Sequence, residues 1–253
     1  MKLRQLAAVN EALPLTRLSE AQLRELQSAL CRLGYPVGDI DGLWGPRTRH
    51  AWAEFAGHSK TADPTRLSPA SVAALQEQLE KFGAGGDHDF STTAATMAAI
   101  QRECRAQGIG LKTQIAYVLA TVAWETNDTF QPVKEAYWQD EDWRRRHLRY
   151  FPYYGRGYVQ LTWKKNYEKY AKILGIDLVN HPDKAMENNI ALFILVHGFK
   201  TGTFTGRNIS EYINEKKRDF INARRCINGK DRADDIARLA EKYLQNMSNC
   251  VVL

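Results

Sequence analysis

Long apolar runs are missing from this sequence. The longest, residues 190–196, is far shorter than the roughly 18 to 20 residues that a membrane-spanning helix needs. The first twenty residues contain Asn10, Glu11 and Arg17 and lead to no small-residue cleavage site, so we expect no secretory signal peptide. The sequence therefore favours a protein that is made in the cytosol and has no membrane helix.

Closely spaced metal ligands are also missing. The four cysteines form no CxxC pair, and the six histidines include neither an HxH nor an HExxH pair. We therefore predict no metal and no cofactor, which disfavours a zinc peptidase. The cysteines are interpreted as reduced, buried apolar side chains, and His197, which follows the longest apolar run, as a core residue.

The excess of positive charge is modest and is unevenly placed. The chain has 35 Lys and Arg against 29 Asp and Glu, a formal net charge of +6. Residues 1–82 hold 10 basic and 9 acidic residues, so most of the excess positive charge lies in the remainder of the chain. Such a balance favours polyanionic partners, which include nucleic acid, anionic membranes and acidic wall polymers. We interpret the basic run 143–149 as a solvated face or a patch for an anionic envelope surface, and we expect no nucleic-acid partner.

Helical periodicity dominates the chain, so we predict a mostly α protein. The predicted helices are 19–34, 46–55, 68–82, 92–107, 112–126, 167–174, 183–199, 210–221 and 231–247. Residues 158–162 are the one extended candidate, and residues 127–154 are predicted to be irregular. A structureless segment of that length inside a compact domain is usually functional.

A glycine-rich joint at residues 83–86 suggests two domains. We divide the chain into a first domain at 1–82, a linker at 83–90 and a second domain at 91–253.

The first domain contains a glycine-punctuated turn between two helices, Asp41-Gly42-Leu43-Trp44-Gly45-Pro46-Arg47-Thr48. With its flanking helices, residues 20–58, it resembles the peptidoglycan-binding domain type 1 repeat. This resemblance implies a three-helix wall-binding domain that holds glycan or stem peptide, with bacterial peptidoglycan as partner. Each residue of the turn is also explained by a purely structural role.

A carboxyl group lies at the edge of an apolar helix face in the second domain. Ile115, Val118 and Val122 recur at helical spacing, and Glu125 follows three residues later. Burial disfavours the charged form of a carboxyl, which is the condition for a general acid near neutral pH. Glu125 is therefore a candidate acid, although a solvated residue at a frayed helix end fits the same pattern. Glu135, ten residues later among aromatic residues, is a second candidate that in isolation resembles a solvated loop residue.

Residues 153–162, Tyr-Tyr-Gly-Arg-Gly-Tyr-Val-Gln-Leu-Thr, are followed four positions later by Asn166-Tyr167. This segment resembles the family 19 glycoside hydrolases, which comprise plant-type chitinases and phage lysozyme relatives. The resemblance covers residues 113–240 and implies a lysozyme-like α-helical domain with long loops. Three positions depart from the family pattern: Trp124 replaces a histidine, and Asn127-Asp128 replace glycines, which affects the expected cleft shape and sugar preference.

The resemblance also implies the roles of the site residues. Glu125 is the acid, Glu135 the base, and Thr162 holds the attacking water. The remaining residues are predicted to bind substrate: Tyr158, Gln160, Asn166, Arg225 and Asn228.

Together the two resemblances predict a peptidoglycan hydrolase. It would cleave the β-1,4 bond from N-acetylmuramic acid to N-acetylglucosamine by single displacement with inversion, and we expect a monomer. A phage endolysin made in the bacterial cytosol and released to the wall through a holin-type lesion fits these features. The alternatives are a chitinase, a delivered antibacterial effector, and a wall-binding protein without activity.

Overall fold

The computed structural model describes residues 2–35, 37–59, 62–83 and 88–249. Helices account for 57% of the protein, which confirms the predicted mostly α class. The chain divides into two compact units, residues 1–87 with 169–176, and residues 88–168 with 177–253. Most of the predicted glycine joint, residues 84–86, lies outside the described residues, as does Cys250.

The described residues among residues 1–87 of the first unit form three α-helices and one short strand pair. The helices start within one residue of their predicted positions, because each start has a local cause: Ser19 and Gln22 form a capping box, and Pro46 occupies the first turn. Fully buried Trp52 and Phe55 lie in the core of this unit. Its elements are β1 (Leu13–Pro14), α1 (Glu20–Arg32), α2 (Pro46–His58), β2 (Arg66–Leu67, antiparallel to β1) and α3 (Pro69–Gly83).

A buried glutamine holds the turn between α1 and α2. The side-chain nitrogen of Gln27 donates to Asp41 at 2.8 Å and to Thr48 at 3.0 Å, and its oxygen accepts from the Gly42 N–H at 2.8 Å. Gly42 has a φ of +77°, which favours glycine. The turn is therefore fixed from within, and it presents Leu43 with 63% of its surface exposed.

The second unit is centred on two helices that are buried on nearly every side. All residues from Gln114 to Ala123 in α5 and from Ile190 to Phe199 in α8 are buried. A two-residue antiparallel pair, β3 (Val133–Lys134) with β4 (Arg156–Gly157), lies between the helices in sequence. The helices along this part of the chain are α4 (Thr93–Ala106), α5 (Lys112–Glu125), α6 (Glu141–His147), α7 (Lys164–Leu174, of which residues 169–174 belong to the first unit), α8 (Asn188–Thr201), α9 (Phe220–Ala223) and α10 (Ala233–Asn249).

The predicted irregular segment and the predicted extended segment were both partly wrong. Residues 127–154 contain β3 and also α6, whose start is capped by the Asp140 carboxylate. The extended segment was predicted at 158–162, but the strand β4 ends at Gly157, and residues 158–160 form a turn. Gln160 has a φ of +54° in this turn, which a strand does not allow.

Two predicted helices were also wrong in extent. The helix predicted at 183–199 is broken, because Glu187 has an extended backbone that separates a 3-10 helix, Pro182–Met186, from α8. Residues 210–221 are not one helix. There the Asn214 side chain accepts from the Lys216 N–H, and this local bond turns the chain.

Three of the cysteines confirm the predicted burial: Cys31, Cys104 and Cys226 are buried. His197 is also fully buried, as predicted, and stacks on Phe193 at 5.0 Å. Within the described residues, no helix combines the length and the apolar composition needed to cross a membrane. The same residues contain no group of three or more His, Cys, Asp or Glu placed to hold a metal ion.

Candidate active site

A cavity of about 500 Å³ in the second unit brings together most of the predicted site residues. Both predicted catalytic carboxylates and the predicted hydroxyl line it. Six of the eight predicted residues are present: Glu125, Glu135, Gln160, Thr162, Asn166 and Asn228. The lining residues that the sequence analysis did not single out are Tyr150, Val159, Leu161, Trp163, Phe204 and Ile227.

Glu125 is the last residue of α5 and forms an ion pair with Arg224. The guanidinium Nη1 lies 2.8 Å from Oε1, and the side chains of Glu125 and Arg224 are 17% and 3% exposed. Arg224 also donates from Nε to the Asp231 carbonyl at 3.0 Å, so its position is fixed from two directions. Glu125 therefore lies beside a buried charge rather than in the apolar setting that its helix position suggested. Oε2 has no hydrogen-bond partner in the described part of the chain.

Glu135 follows β3 directly, and both of its carboxylate oxygens accept hydrogen bonds. The Tyr150 hydroxyl donates to Oε1 at 2.6 Å, and the Gly155 N–H donates to Oε2 at 2.8 Å. Burial, together with this hydrogen bond, raises the pKa of Tyr150 to about 12, so the phenol keeps the proton that it donates. A carboxylate has about four acceptor positions, so Glu135 can still accept a bond from water.

The Gly155-Arg156-Gly157 motif shapes the wall that holds Glu135. A Cβ at Gly155 would lie 2.6 Å from the Gln160 side-chain oxygen, and Gly157 has a φ of +84°. Arg156 is buried, and its Nε lies 2.8 Å from Asp183 Oδ1. The motif therefore has a structural role here. Its glycines allow a tight turn, and its arginine stabilises that turn through the ion pair with Asp183.

Thr162, Gln160 and Asn166 form a connected set along the cavity. The Thr162 hydroxyl donates to the Gln160 carbonyl at 2.7 Å, and Asn166 donates to the Thr162 carbonyl at 2.7 Å. Because the hydroxyl proton of Thr162 is already used, its oxygen is left to accept a hydrogen bond. The Gln160 amide donates to the Val133 carbonyl at 3.0 Å, which fastens this set to β3.

Two predicted substrate-binding residues lie away from the cavity. Tyr158 is fully buried and donates to the Asn188 side chain at 3.3 Å, and burial raises the pKa of its hydroxyl. Arg225 is exposed and points to Asn222. Arg224 and Arg225 share a 3-10 turn, in which consecutive side chains diverge, so the neighbour of the predicted residue reaches the site.

An aromatic rim lies beside the two carboxylates. The Tyr150 and Trp163 rings meet at 4.9 Å, and the Arg149 guanidinium lies 5.2 Å from the Trp163 ring. Trp163 is 43% exposed, so it offers an apolar face at the cavity edge. The sequence analysis noted that aromatic residues surround Glu135 in the chain, but it did not single out Trp163.

A family model described as "Chitinase class I", of glycoside hydrolase family 19, matches residues 68–202, just over half of the chain. The match begins at residue 68, immediately before α3 of the first unit.

Similar curated proteins match only short parts of this chain. "Chitinase 11" of Oryza sativa subsp. japonica is 50% identical over 42 residues, which are 17% of this chain and 16% of that protein. "Chitinase 8" of the same plant is 45% identical over 42 residues, with the same coverage. "Inactive chitinase-like protein 1" of Hevea brasiliensis is 44% identical over 41 residues, 16% of this chain and 13% of that protein. The matches thus span less than a fifth of these relatives, and no solved structure matches the chain.

Proposed function

This chain belongs to the class I chitinase family of glycoside hydrolases, and on that premise we propose that it hydrolyses β-1,4 bonds between N-acetylated sugars. The observation that carries the proposal is that Glu125, Glu135 and Thr162 line one cavity. Paired carboxylates on either side of a bound sugar are the chemical requirement for glycoside hydrolysis.

Glu125 acts as the general acid. Its Oε1 is held by Arg224 at 2.8 Å, so the carboxyl group has a fixed orientation, and Oε2 is left to reach the glycosidic oxygen. The proton passes from Glu125 to that oxygen as the bond to the anomeric carbon breaks, and the leaving sugar departs as an alcohol.

Glu135 acts as the general base. Water donates one hydrogen bond to Glu135 and another to the Thr162 oxygen, whose own proton is engaged with the Gln160 carbonyl. As the water oxygen attacks the anomeric carbon, its proton passes to Glu135 and the configuration inverts. Inverting enzymes separate their carboxyls by roughly 6.5 to 9.5 Å to admit this water.

Bacterial peptidoglycan is the proposed substrate, cleaved between N-acetylmuramic acid and N-acetylglucosamine. Support comes from the resemblance of residues 20–58 to a wall-binding repeat and from the net charge of +6, which suits an acidic wall. Leu43 lies exposed on the turn of that repeat. Chitin is the second candidate, because two of the similar proteins are named chitinases.

The proposed biological setting is that of a phage endolysin, made in the host cytosol and released to the wall. An antibacterial effector delivered by a secretion machine has the same chemistry. Gene neighbourhood separates the two, since an endolysin gene adjoins a holin gene and an effector gene adjoins an immunity gene.

The direct test is the substitution Glu125→Gln, which removes the proton donor and preserves the shape of the side chain. We expect hydrolysis of purified sacculi to fall by about 10²–10⁴-fold, the usual contribution of a general acid. The matched control is Glu168→Gln, which makes the same change at a side chain that is 47% exposed and outside the cavity. Activity above a tenth of the control would exclude Glu125 as the acid.

The cleaved bond and the wall-binding role of the first unit are tested by the digestion products and by sedimentation with sacculi. Mass spectrometry of digested sacculi should show new reducing ends at muramic acid, whereas ends at glucosamine or release of peptides alone would contradict the bond assignment. The Glu125→Gln protein should still sediment with sacculi if the first unit binds the wall, and its absence from the pellet would count against that role.

A further inference from the structure

A second groove of about 570 Å³ opens on the second unit, and none of its lining residues belongs to the active-site cavity. It is formed where the end of α5 and the residues after it meet α10. The lining residues are Ala123, Trp124, Asn127, Asp128, Asp235, Arg238, Leu239 and Lys242.

The groove has an apolar floor and charged walls. Asp235, Leu239 and Lys242 are separated by four and three positions along α10, so they lie on one face of the helix. Leu239 and Trp124 supply apolar surface, and Trp124 is 38% exposed. Two basic and two acidic side chains surround this surface, so the groove presents charges of both signs.

Several of the polar groups are available to a ligand. Asp235 is paired with Arg238, but the side chains of Asn127, Asp128 and Lys242 make no hydrogen bond or ion pair with the described part of the chain. All three are exposed. The groove therefore offers a free carboxylate, a free amide and a free ammonium beside an indole.

The backbone that carries Asn127 and Asp128 is held in a defined conformation after α5. Asn127 and Asp128 have φ values of 50° and 60°, and the Asp128 N–H donates to the Ala123 carbonyl at 2.7 Å. Asparagine and aspartate are the non-glycine residues that tolerate this region best. Their backbone is thus held by a hydrogen-bonded turn, so only the rotamers of the side chains remain to be ordered on binding.

The chemistry of the groove matches a short peptide that carries both carboxylates and an ammonium group. An uncharged polysaccharide offers no counter-charge to Lys242 or Asp128. Chitin is such a polysaccharide, whereas peptidoglycan adds a charged peptide stem to every muramic acid.

We propose that this groove binds the peptide stem of peptidoglycan and so distinguishes that polymer from chitin. The inference rests on the proposed function, because the stem must be attached to the glycan in the active site. Trp124 in the groove and Glu125 in the cavity are consecutive residues, with Cα atoms about 3.8 Å apart. The groove and the cavity therefore adjoin the end of the same helix, and the proposal places in the groove the stem of a sugar beside the cleaved bond.

The test measures binding to the full-length Glu125→Gln protein by calorimetry, so that the probes are not cleaved. The probes are the N-acetylglucosamine–N-acetylmuramic acid disaccharide with a tetrapeptide stem, and the same disaccharide without it. We expect binding about three- to tenfold tighter with the stem at low salt, and a smaller difference in 0.5 M NaCl because exposed charges are screened.

Substitutions test whether the difference in affinity between the two probes arises from the groove. Lys242→Ala and Asp128→Asn should each reduce the preference for the stem, and the second keeps a residue that tolerates the left-handed backbone. Lys216→Ala removes the same charge from an exposed residue outside the groove and should leave the preference unchanged. Unfolding temperatures and circular dichroism verify that every variant is folded.

Equal affinity for the two probes, or a preference that survives both groove substitutions together, would overturn the proposal. Failure of the proposed function has a different signature. In that case the unaltered protein releases no muramic-acid ends from sacculi, whatever the two probes show.

Discussion

The two carboxylates of the cavity are held by different kinds of partner. Glu125 accepts from a buried guanidinium at 2.8 Å, whereas Glu135 accepts from a phenol and from a backbone N–H. The partners of Glu135 are neutral and the partner of Glu125 is charged, so one cavity gives two carboxylates distinct surroundings.

Tyr150 provides a prediction at this scale. Tyr150→Phe removes the 2.6 Å hydrogen bond to Glu135 and keeps the ring that meets Trp163. We expect kcat to fall by about tenfold, because a hydrogen bond to a charged group contributes about 1.5 kcal/mol or more. The pKa of Tyr150 is raised to about 12, so its hydroxyl stays protonated and the deficit should be constant from pH 5 to about pH 10.

Tyr153→Phe is the matched control for this measurement. The Tyr153 hydroxyl donates to the Val179 carbonyl at 3.3 Å and contacts neither carboxylate of the cavity. A Tyr150→Phe protein with the kcat of the Tyr153→Phe protein would show that Glu135 is positioned without the phenol.

At the scale of elements, the β3–β4 pair and its turn hold Glu135, the proposed base, in position. The Glu135 N–H donates to the Gly155 carbonyl at 2.7 Å, and the Gly155 N–H returns a bond to the Glu135 carboxylate. Main chain and side chain of one residue are thus bound to the same glycine. Any displacement of this glycine should therefore move the Glu135 carboxylate.

Gly155→Ala tests that coupling. The added Cβ would lie 2.6 Å from the Gln160 side-chain oxygen, and the two must separate. We expect a loss of about 1–3 kcal/mol in the free energy of unfolding, typical of overpacking, and a fall in kcat. Chemical denaturation and turnover of soluble glycan fragments measure the two effects.

Gly57→Ala is the corresponding control in α2, where an added Cβ has no neighbour within 4 Å. It should be neutral or stabilising by up to about 1 kcal/mol, since alanine is the better helix former. If Gly155→Ala behaved like this control, the turn would not be as tightly constrained as its contacts indicate.

Stability of the whole molecule should depend on the protonation of His88. Its side chain is 8% exposed, and Nδ1 has no hydrogen-bond partner among the described residues. Burial lowers the pKa of His88 from its ordinary 6.5, although Glu103 at 3.8 Å acts in the opposite direction. The unfolded chain therefore binds this proton more readily than the folded protein.

The sign of the pH dependence follows from this lowered pKa. The stabilising contribution of neutral His88 is complete above pH 6.5 and is lost as the pH falls through the folded-state pKa. We expect the free energy of unfolding to decline between pH 7 and pH 5 less steeply in His88→Leu than in the unaltered protein. Parallel declines in the two proteins would show that His88 does not contribute to acid sensitivity.

Local features of the sequence were sufficient to predict where most helices begin. Ser19, Pro46 and Thr92 start α1, α2 and α4 through bonds or geometry that involve only the next few residues. Such interactions do not depend on the rest of the fold, so they can be read from sequence. The prediction of one helix at 210–221 was wrong, and the cause is again local: the Asn214 side chain accepts a hydrogen bond from the Lys216 N–H, which turns the chain.

The sequence by itself determined the mostly α class and the start of most helices, and it predicted two carboxylates and a hydroxyl that line one cavity. Only the tertiary structure decided which side chains hold them. Arg224 meets Glu125 across 99 residues of chain, and Tyr150 meets Glu135 across 15. Contacts of that separation depend on how helices and turns pack, and no helical or strand periodicity encodes them. The sequence therefore indicated Arg225, whereas packing turned Arg224 toward the carboxylate.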